Sequence, residues 1–310
     1  MIPAPVFTLP AAWEDAWDAY SIPRKSSLSK RTLANYRDTF IQLARFVGPS
    51  ITPEQLTRRQ VAAFLESVVQ STSATTAAMR YRGLSAVLGF LARSDEDGEA
   101  YLARNPMTGL RPPKTDAVPP PVLSLEDVKR LVAACKGPLL EDRRDEAMIR
   151  LLFETGIRRG ELASMQIAPE WLNLREGTAR VSGKTGQRII DIGDKTTAAI
   201  YRYLKLRARS RSAKRGVEAL WIGQKGALTG NGIFQALDRR FDLAGVVSSK
   251  KAHIFRHTFS HEYSLAGGHL DDLISLNGWN SPAMALRYAK SAANERARIA
   301  HREIDLGGRL

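Results

Sequence analysis

Cysteine is almost absent from this chain. A single thiol, Cys135, among 310 residues excludes an internal disulfide and any four-cysteine zinc site. It follows Val132, Ala133 and Ala134 in a short apolar stretch, where a small core side chain is expected. No window approaches the roughly 18 apolar residues that mark a membrane span. Met1 to Pro10 lacks the basic run and apolar stretch of a secretory signal, so a cytoplasmic protein with no membrane partner is expected. Internal repeats and low-complexity tracts are missing, and no carboxylate cluster suits Mg²⁺, so no metal site is expected.

What is present is a soluble globular composition, 44% hydrophobic and 25% charged, long enough for two domains with separate cores. The formal net charge is +14. Residues 1–115 carry 14 basic against 10 acidic side chains, and the remainder 32 against 22. Such an excess favours a polyanionic partner and a salt-dependent affinity.

Apolar spacing of three and four predicts helices along most of the chain. A short one runs around Trp13 to Tyr20. A longer one spans about Leu28 to Val47, with Leu33, Tyr36, Phe40, Leu43 and Phe46 on its apolar face, and Gly48-Pro49 stops it. Thr52-Pro53-Glu54 and Thr57 open the next, faced by Val61, Phe64, Leu65 and Val68. Another covers about Thr75 to Arg93, with Met79, Leu84, Val87, Leu88 and Leu91. These make an N-terminal helical bundle over residues 1–110, whose exposed basic positions Arg31, Arg80 and Arg82 either meet phosphates or form a solvated face. The proline-rich segment 111–122 reads as a stiff linker. A second, mostly α domain over 123–310 opens at the N-cap Ser124 with Glu126 and Asp127 behind it. Its helices are expected at about 124–136, 142–155, 195–209, 230–242, 253–265, 269–276 and 282–299. Strand character at 171–174, 178–181 and 188–192 predicts one small antiparallel sheet, with Gly183-Lys184-Thr185-Gly186 as a hairpin tip.

The residues able to do chemistry fall in that second part. Arg158 follows the glycine break Gly156, where a side chain can point into a groove, or it simply pairs with Glu161. Arg256 lies near a helix start with His253 and His257, three and four residues apart on one face. Tyr288 comes nine residues after Trp279. Paired guanidinium groups grip phosphate in a planar fork, and a phenol beside them is a candidate nucleophile.

Thr155-Gly156-Ile157-Arg158-Arg159-Gly160-Glu161-Leu162, Lys184 in its hairpin, His253-Ile254-Phe255-Arg256-His257, Gly278-Trp279 and Tyr288, in that order, resemble the motifs of the tyrosine recombinases, the phage-integrase family of site-specific DNA recombinases. The resemblance implies that the helical bundle is the family's SAM-like core-binding domain, which holds DNA, and that the second domain is catalytic. It makes Arg158, Lys184, His253, Arg256, Trp279 and Tyr288 the catalytic set, supported by Glu161 and His257. Two departures stand out. Trp279 fills a place where histidine is commoner, and its indole keeps one donor but no acid or base role. Asn277 replaces a usual leucine, a change expected to affect packing alone.

The chemistry implied is attack of Tyr288 on a scissile phosphate to give a 3′-phosphotyrosyl bond and a free 5′ hydroxyl. Ionising a phenol with a pKa near 10 at pH 7 is uphill by roughly 4 kcal/mol. His253 is placed to take that proton. Arg158 and Arg256 clamp the non-bridging oxygens, Trp279 and His257 add donors, and Lys184 protonates the leaving oxygen. The phosphotyrosyl bond conserves the phosphodiester energy, so no cofactor is expected. Implied partners are double-stranded DNA carrying an inverted-repeat core site, three further copies of the chain in a tetramer, and in some systems an accessory DNA-bending protein. Strand exchange would pass through a Holliday junction, in integration and excision or in resolution of a mobile element, plasmid or chromosome dimers. The tail from Ala289 to Ala300 either docks on a neighbouring subunit or packs on its own domain. Two other readings use the same residues: DNA relaxation of the type IB topoisomerase kind, and a catalytically degenerate DNA-binding regulator.

Overall fold

The structure, a computed structural model, describes residues 7–93, 99–115, 120–183, 186–248, 251–279 and 281–309, with the side chains of 283, 284, 287–291, 294 and 309 left aside. Lys184 therefore lies outside the described residues, and Tyr288 is described by its backbone alone. The chain forms two compact units, Met1–Ala117 and Val118–Leu310. As expected, the fold is mainly helical with a small antiparallel sheet.

The first unit consists of α1 (Ala11–Arg24), α2 (Lys30–Val47), a 3-10 turn (Pro53–Gln55), α3 (Arg58–Ser71) and α4 (Ala74–Leu91). Hydroxyl side chains start three of these helices: Ser29, Thr57 and Ser73 accept from the amides of Thr32, Gln60 and Thr76. Gly48, at φ 90°, ends α2 in a conformation that side chains disfavour. The core gathers Trp13, Phe40, Leu43, Leu84, Val87 and Leu88, all fully buried. The Trp13 ring stands 4.8 Å from that of Phe40, and its Nε1 donates to the carbonyl of Ile51 at 2.7 Å. Phe46 and Met79 depart from the expected apolar faces. Both are 45% exposed, Met79 lying off the face that α4 buries through Ala77, Leu84, Val87, Leu88 and Leu91.

The second unit opens with α5 (Leu125–Ala133), α6 (Leu140–Thr155) and the short α7 (Arg159–Ala163). A three-stranded sheet follows: β1 (Leu172–Asn173), β2 (Thr178–Gly183) and β3 (Gly186–Asp191), with Gly183 facing Gly186 across the hairpin. Then come α8 (Asp194–Arg207), α9 (Arg211–Lys214), the two-residue strands β4 (Ile222–Gly223) and β5 (Gly226–Ala227), α10 (Gly230–Leu243), α11 (His253–Leu265), α12 (Leu270–Asn277) and α13 (Pro282–Ile304). Neither α9 nor the β4–β5 pair is foreseen by periodicity, since elements of two to four residues carry no repeat. Leu151, Leu152, Ile200, Leu237 and Phe255 lie at the centre of the core. Cys135 is buried there, and burial pushes its thiol up to about 12. Among the described residues no helix is long and apolar enough to cross a membrane.

An ionic knot fastens α6 to α10. Asp145, 1% exposed, accepts from Arg144 Nε at 2.9 Å and from Arg240 Nε at 2.8 Å. Arg240 also reaches Asp142 at 2.9 Å and the carbonyl of Ala134 at 2.9 Å. Removing the central carboxylate leaves buried Arg144 without that partner and Arg240 with Asp142 alone of its two carboxylates. Asp145→Ala is expected to lower unfolding free energy by about 3–5 kcal/mol. Urea denaturation checks this, and a loss below about 1 kcal/mol would mean that water replaces the carboxylate.

Candidate active site

Helix α6 ends at Gly156, whose left-handed backbone (φ 59°) turns the chain sharply toward α7. A Cβ there would sit 2.5 Å from the Phe259 ring, so only glycine fits. Two residues on, Arg158 occupies the N-cap of α7 with an extended backbone. Its amide donates to Glu161 Oε2 at 2.8 Å and its Nη1 to Glu161 Oε1 at 2.8 Å. Nη2 donates to the carbonyl of Gly278 at 3.0 Å.

Arg256 comes from the first turn of α11 and is 1% exposed. Its Nη1 donates to the carbonyl of Gly156 at 3.0 Å and its Nη2 to that of Asn277 at 2.6 Å. The Trp279 ring, 7% exposed, lies 5.1 Å from the Arg256 guanidinium carbon. This is within cation–π range. The His253 and His257 rings meet edge to face at 4.6 Å, with His253 exposed and His257 buried. These contacts join Arg158, Glu161, Arg256 and Trp279 around the end of α12, and His253 and His257 lie on the same helix as Arg256.

One member escapes the sequence reading. Arg188, on β3, forks onto Glu161, with Nη1 to Oε1 at 2.8 Å and Nη2 to Oε2 at 3.0 Å. Its Nε donates to the carbonyl of Leu276 at 3.0 Å. Three consecutive carbonyls at the end of α12, those of Leu276, Asn277 and Gly278, each take a different arginine: 188, 256 and 158. A helix C-terminus leaves such carbonyls without intrahelical partners, and its dipole favours cations. Gly278, left-handed at φ 56°, closes the helix. Arg188 is spaced irregularly from the other arginines, and only the register of β3 brings it in.

Asn277 also corrects an expectation. It is fully buried, and its Nδ2 donates to Ser260 Oγ at 3.3 Å and to the Leu273 carbonyl at 3.2 Å. Ser260 Oγ in turn donates to the carbonyl of Arg256 at 2.8 Å. The side chain therefore ties α12 to α11 by hydrogen bonds as well as packing, while its Oδ1 is buried with no hydrogen-bond partner among the described residues.

Tyr288 belongs to α13, which begins with Pro282 at its first position and packs on α11 and α12. Farther along α13, Arg296 donates to the Ser264 carbonyl at 3.5 Å, so that stretch lies on its own α11. In the first unit Arg31 and Arg82 are exposed. Arg80 is not: its side chain is 13% exposed and donates to Asp38 and, at 2.9 Å, to Thr39 Oγ1. A guanidinium held between two helices in this way is a poor phosphate ligand. Among the described residues no group of histidine, cysteine and carboxylate side chains could hold a metal ion.

Glu161, 1% exposed, is the acidic centre of the group. Burial alone would raise its carboxyl, yet hydrogen bonds from Arg188, the Arg158 amide and the Arg158 guanidinium outweigh it. They hold the group at about 2, below its ordinary 4.5. The folded state thus favours the charged form. The stabilisation, about 3 kcal/mol, is complete above pH 4.5 and is lost as pH falls toward 2. Wild type should therefore exceed Glu161→Gln in unfolding free energy by an amount that shrinks across that window. A difference independent of pH there would contradict this account.

Residues 121–295 match the phage integrase family. The tyrosine recombinase XerC of Thermodesulfovibrio yellowstonii is 26% identical over 256 residues, spanning 81% of this chain and 82% of that protein. XerD of Oceanobacillus iheyensis is 28% identical over 256 residues, 80% and 83% of the two chains. The structure of XerH site-specific recombinase bound to a palindromic difH substrate, a post-cleavage complex, superposes with TM-score 0.73 at 16% identity, covering 93% of this chain and 84% of that one. The chain belongs to the phage integrase family, the tyrosine recombinases, enzymes of DNA strand cleavage and rejoining.

Proposed function

We propose that the protein is a site-specific recombinase in which Tyr288 attacks a scissile phosphate held by Arg158 and Arg256. The observation that carries this reading is the convergence of those two arginines on adjacent carbonyls, Gly278 and Asn277, at the turn leading into the helix that contains Tyr288. Guanidinium donors fixed in this way lose little freedom when they bind the two non-bridging oxygens. They favour the more highly charged transition state over the ground state.

In the proposed step the phenolic oxygen forms a bond to phosphorus and the bond from phosphorus to the 5′ oxygen breaks. His253, exposed at the first turn of α11, accepts the phenolic proton, and Lys184 supplies one to the departing oxygen. The Trp279 indole serves as a hydrogen-bond donor at a place where an acid–base group is not required. A free 5′ hydroxyl from a partner strand then attacks the phosphotyrosine, reversing the chemistry with exchanged ends. The first unit, with Arg31 and Arg82 outward, is the proposed core-binding domain. Double-stranded DNA with an inverted-repeat site, bound by four copies in two pairs, fits a chemistry that exchanges strands in sequential rounds. Similarity to XerC, XerD and a DNA-bound XerH favours this over relaxation of supercoils.

A nicked duplex bearing the candidate site, taken from DNA flanking the gene, should trap wild type as a covalent band on a denaturing gel. Tyr288→Phe should give none while still shifting the duplex in a native gel. Arg158→Ala and Arg256→Ala should each slow trapping by about 100- to 1,000-fold. A covalent band from Tyr288→Phe would remove Tyr288 as the nucleophile.

A further inference from the structure

We infer that Arg188 is a positioning residue of the site: it neutralises Glu161, leaving the charge of Arg158 for the substrate phosphate. This rests on Arg158 acting as a phosphate clamp, as proposed above. Glu161 lies between the two arginines. Arg188 takes both of its oxygens, and Arg158 shares Oε1 at the same 2.8 Å. Two guanidinium charges against one buried carboxylate leave a net positive charge on the Arg158 side.

Oε2 also accepts from the Arg158 amide, so without Arg188 both oxygens would be left to Arg158 and would meet its guanidinium face on. The planar fork of arginine suits that bidentate pairing, which would cancel its charge and draw its donors away from a phosphate. The surroundings fix this division of labour. Arg188 is held back from solvent, with its side chain 15% exposed and its Nε on the Leu276 carbonyl, whereas the Arg158 side chain is 29% exposed. Gly183, facing the strand that bears Arg188, presses against Glu161 so closely that a Cβ would lie 2.8 Å from its Cγ. The carboxylate is therefore held in one place, shared between the guanidinium groups of Arg188 and Arg158.

The test is a double-mutant cycle on the trapping reaction under single-turnover conditions. Arg188→Gln should slow cleavage by about 100-fold, the scale of one lost transition-state donor, with DNA affinity in a gel shift unchanged. Adding Glu161→Gln removes the carboxylate that Arg188 had neutralised, and it should recover at least about tenfold of that loss. Arg188→Lys keeps the charge without the fork and should cleave faster than Arg188→Gln. It also serves if the glutamine variant does not fold.

A fastener of the hairpin would give neither the recovery nor the lysine advantage. Should the double variant, or Arg188→Lys, cleave no faster than Arg188→Gln, the inference is overturned. Arg158→Gln separates the two levels. If it cleaves at the wild-type rate, the phosphate-clamp reading fails and the role of Arg188 fails with it. If it abolishes cleavage while Arg188→Gln matches wild type, only the role of Arg188 fails.

Discussion

The candidate site depends on the last turn of α12. Its carbonyls at Leu276, Asn277 and Gly278 accept hydrogen bonds from Arg188, Arg256 and Arg158, which arrive from a strand, a helix and a helix N-cap. Helix ends leave acceptors unpaired, and the negative end of the dipole makes them good partners for cations. The left-handed turn at Gly278 stops the helix there and sends the chain on toward α13. A second left-handed glycine, Gly156, ends α6 and lends its carbonyl to the other side of Arg256. Two helix termini thus hold one buried guanidinium between them.

Two buried ionic groups in the same unit differ in charge balance, and the difference separates support from function. In the knot between α6 and α10, Arg144 and Arg240 face Asp142 and Asp145, so cations and anions match. In the site, Arg158 and Arg188 share one carboxylate, Glu161, while Arg256 is held by the carbonyls of Gly156 and Asn277. Burying unmatched charge is costly. The carbonyls and the Trp279 face offset part of that cost, and a phosphodiester anion would reduce the excess further.

Much of this was legible in the sequence. The long helices announce themselves through apolar spacing and through caps such as Thr57 and Ser124. The catalytic motifs stand in their family order, so Arg158, Arg256, His253 and Trp279 could be named before their contacts were seen. Other features depend on tertiary placement and leave no local trace. Arg188 joins the site only because β3 pairs with β2 in a register that carries its side chain to Glu161. Arg80 looks like a free surface cation until the packing of α2 against α4 brings Asp38 and Thr39 beside it. The role of Asn277 requires Ser260, seventeen residues back, to face it. The short β4–β5 pair falls below the length at which any period can be read.

The anchors at the end of α12 are main-chain atoms. Replacing the side chain at 276 or 277 leaves the acceptor where it was, provided the helix still ends at the same residue. A scan that truncates one side chain at a time would therefore score these positions by their packing and overlook the bonds they make to the arginines. This also accounts for how an asparagine can stand where leucine is usual: the group that meets Arg256 belongs to either residue equally. Changing one backbone amide to an ester, or shifting the helix terminus by a residue through insertion, would expose a dependence that amino-acid replacement conceals.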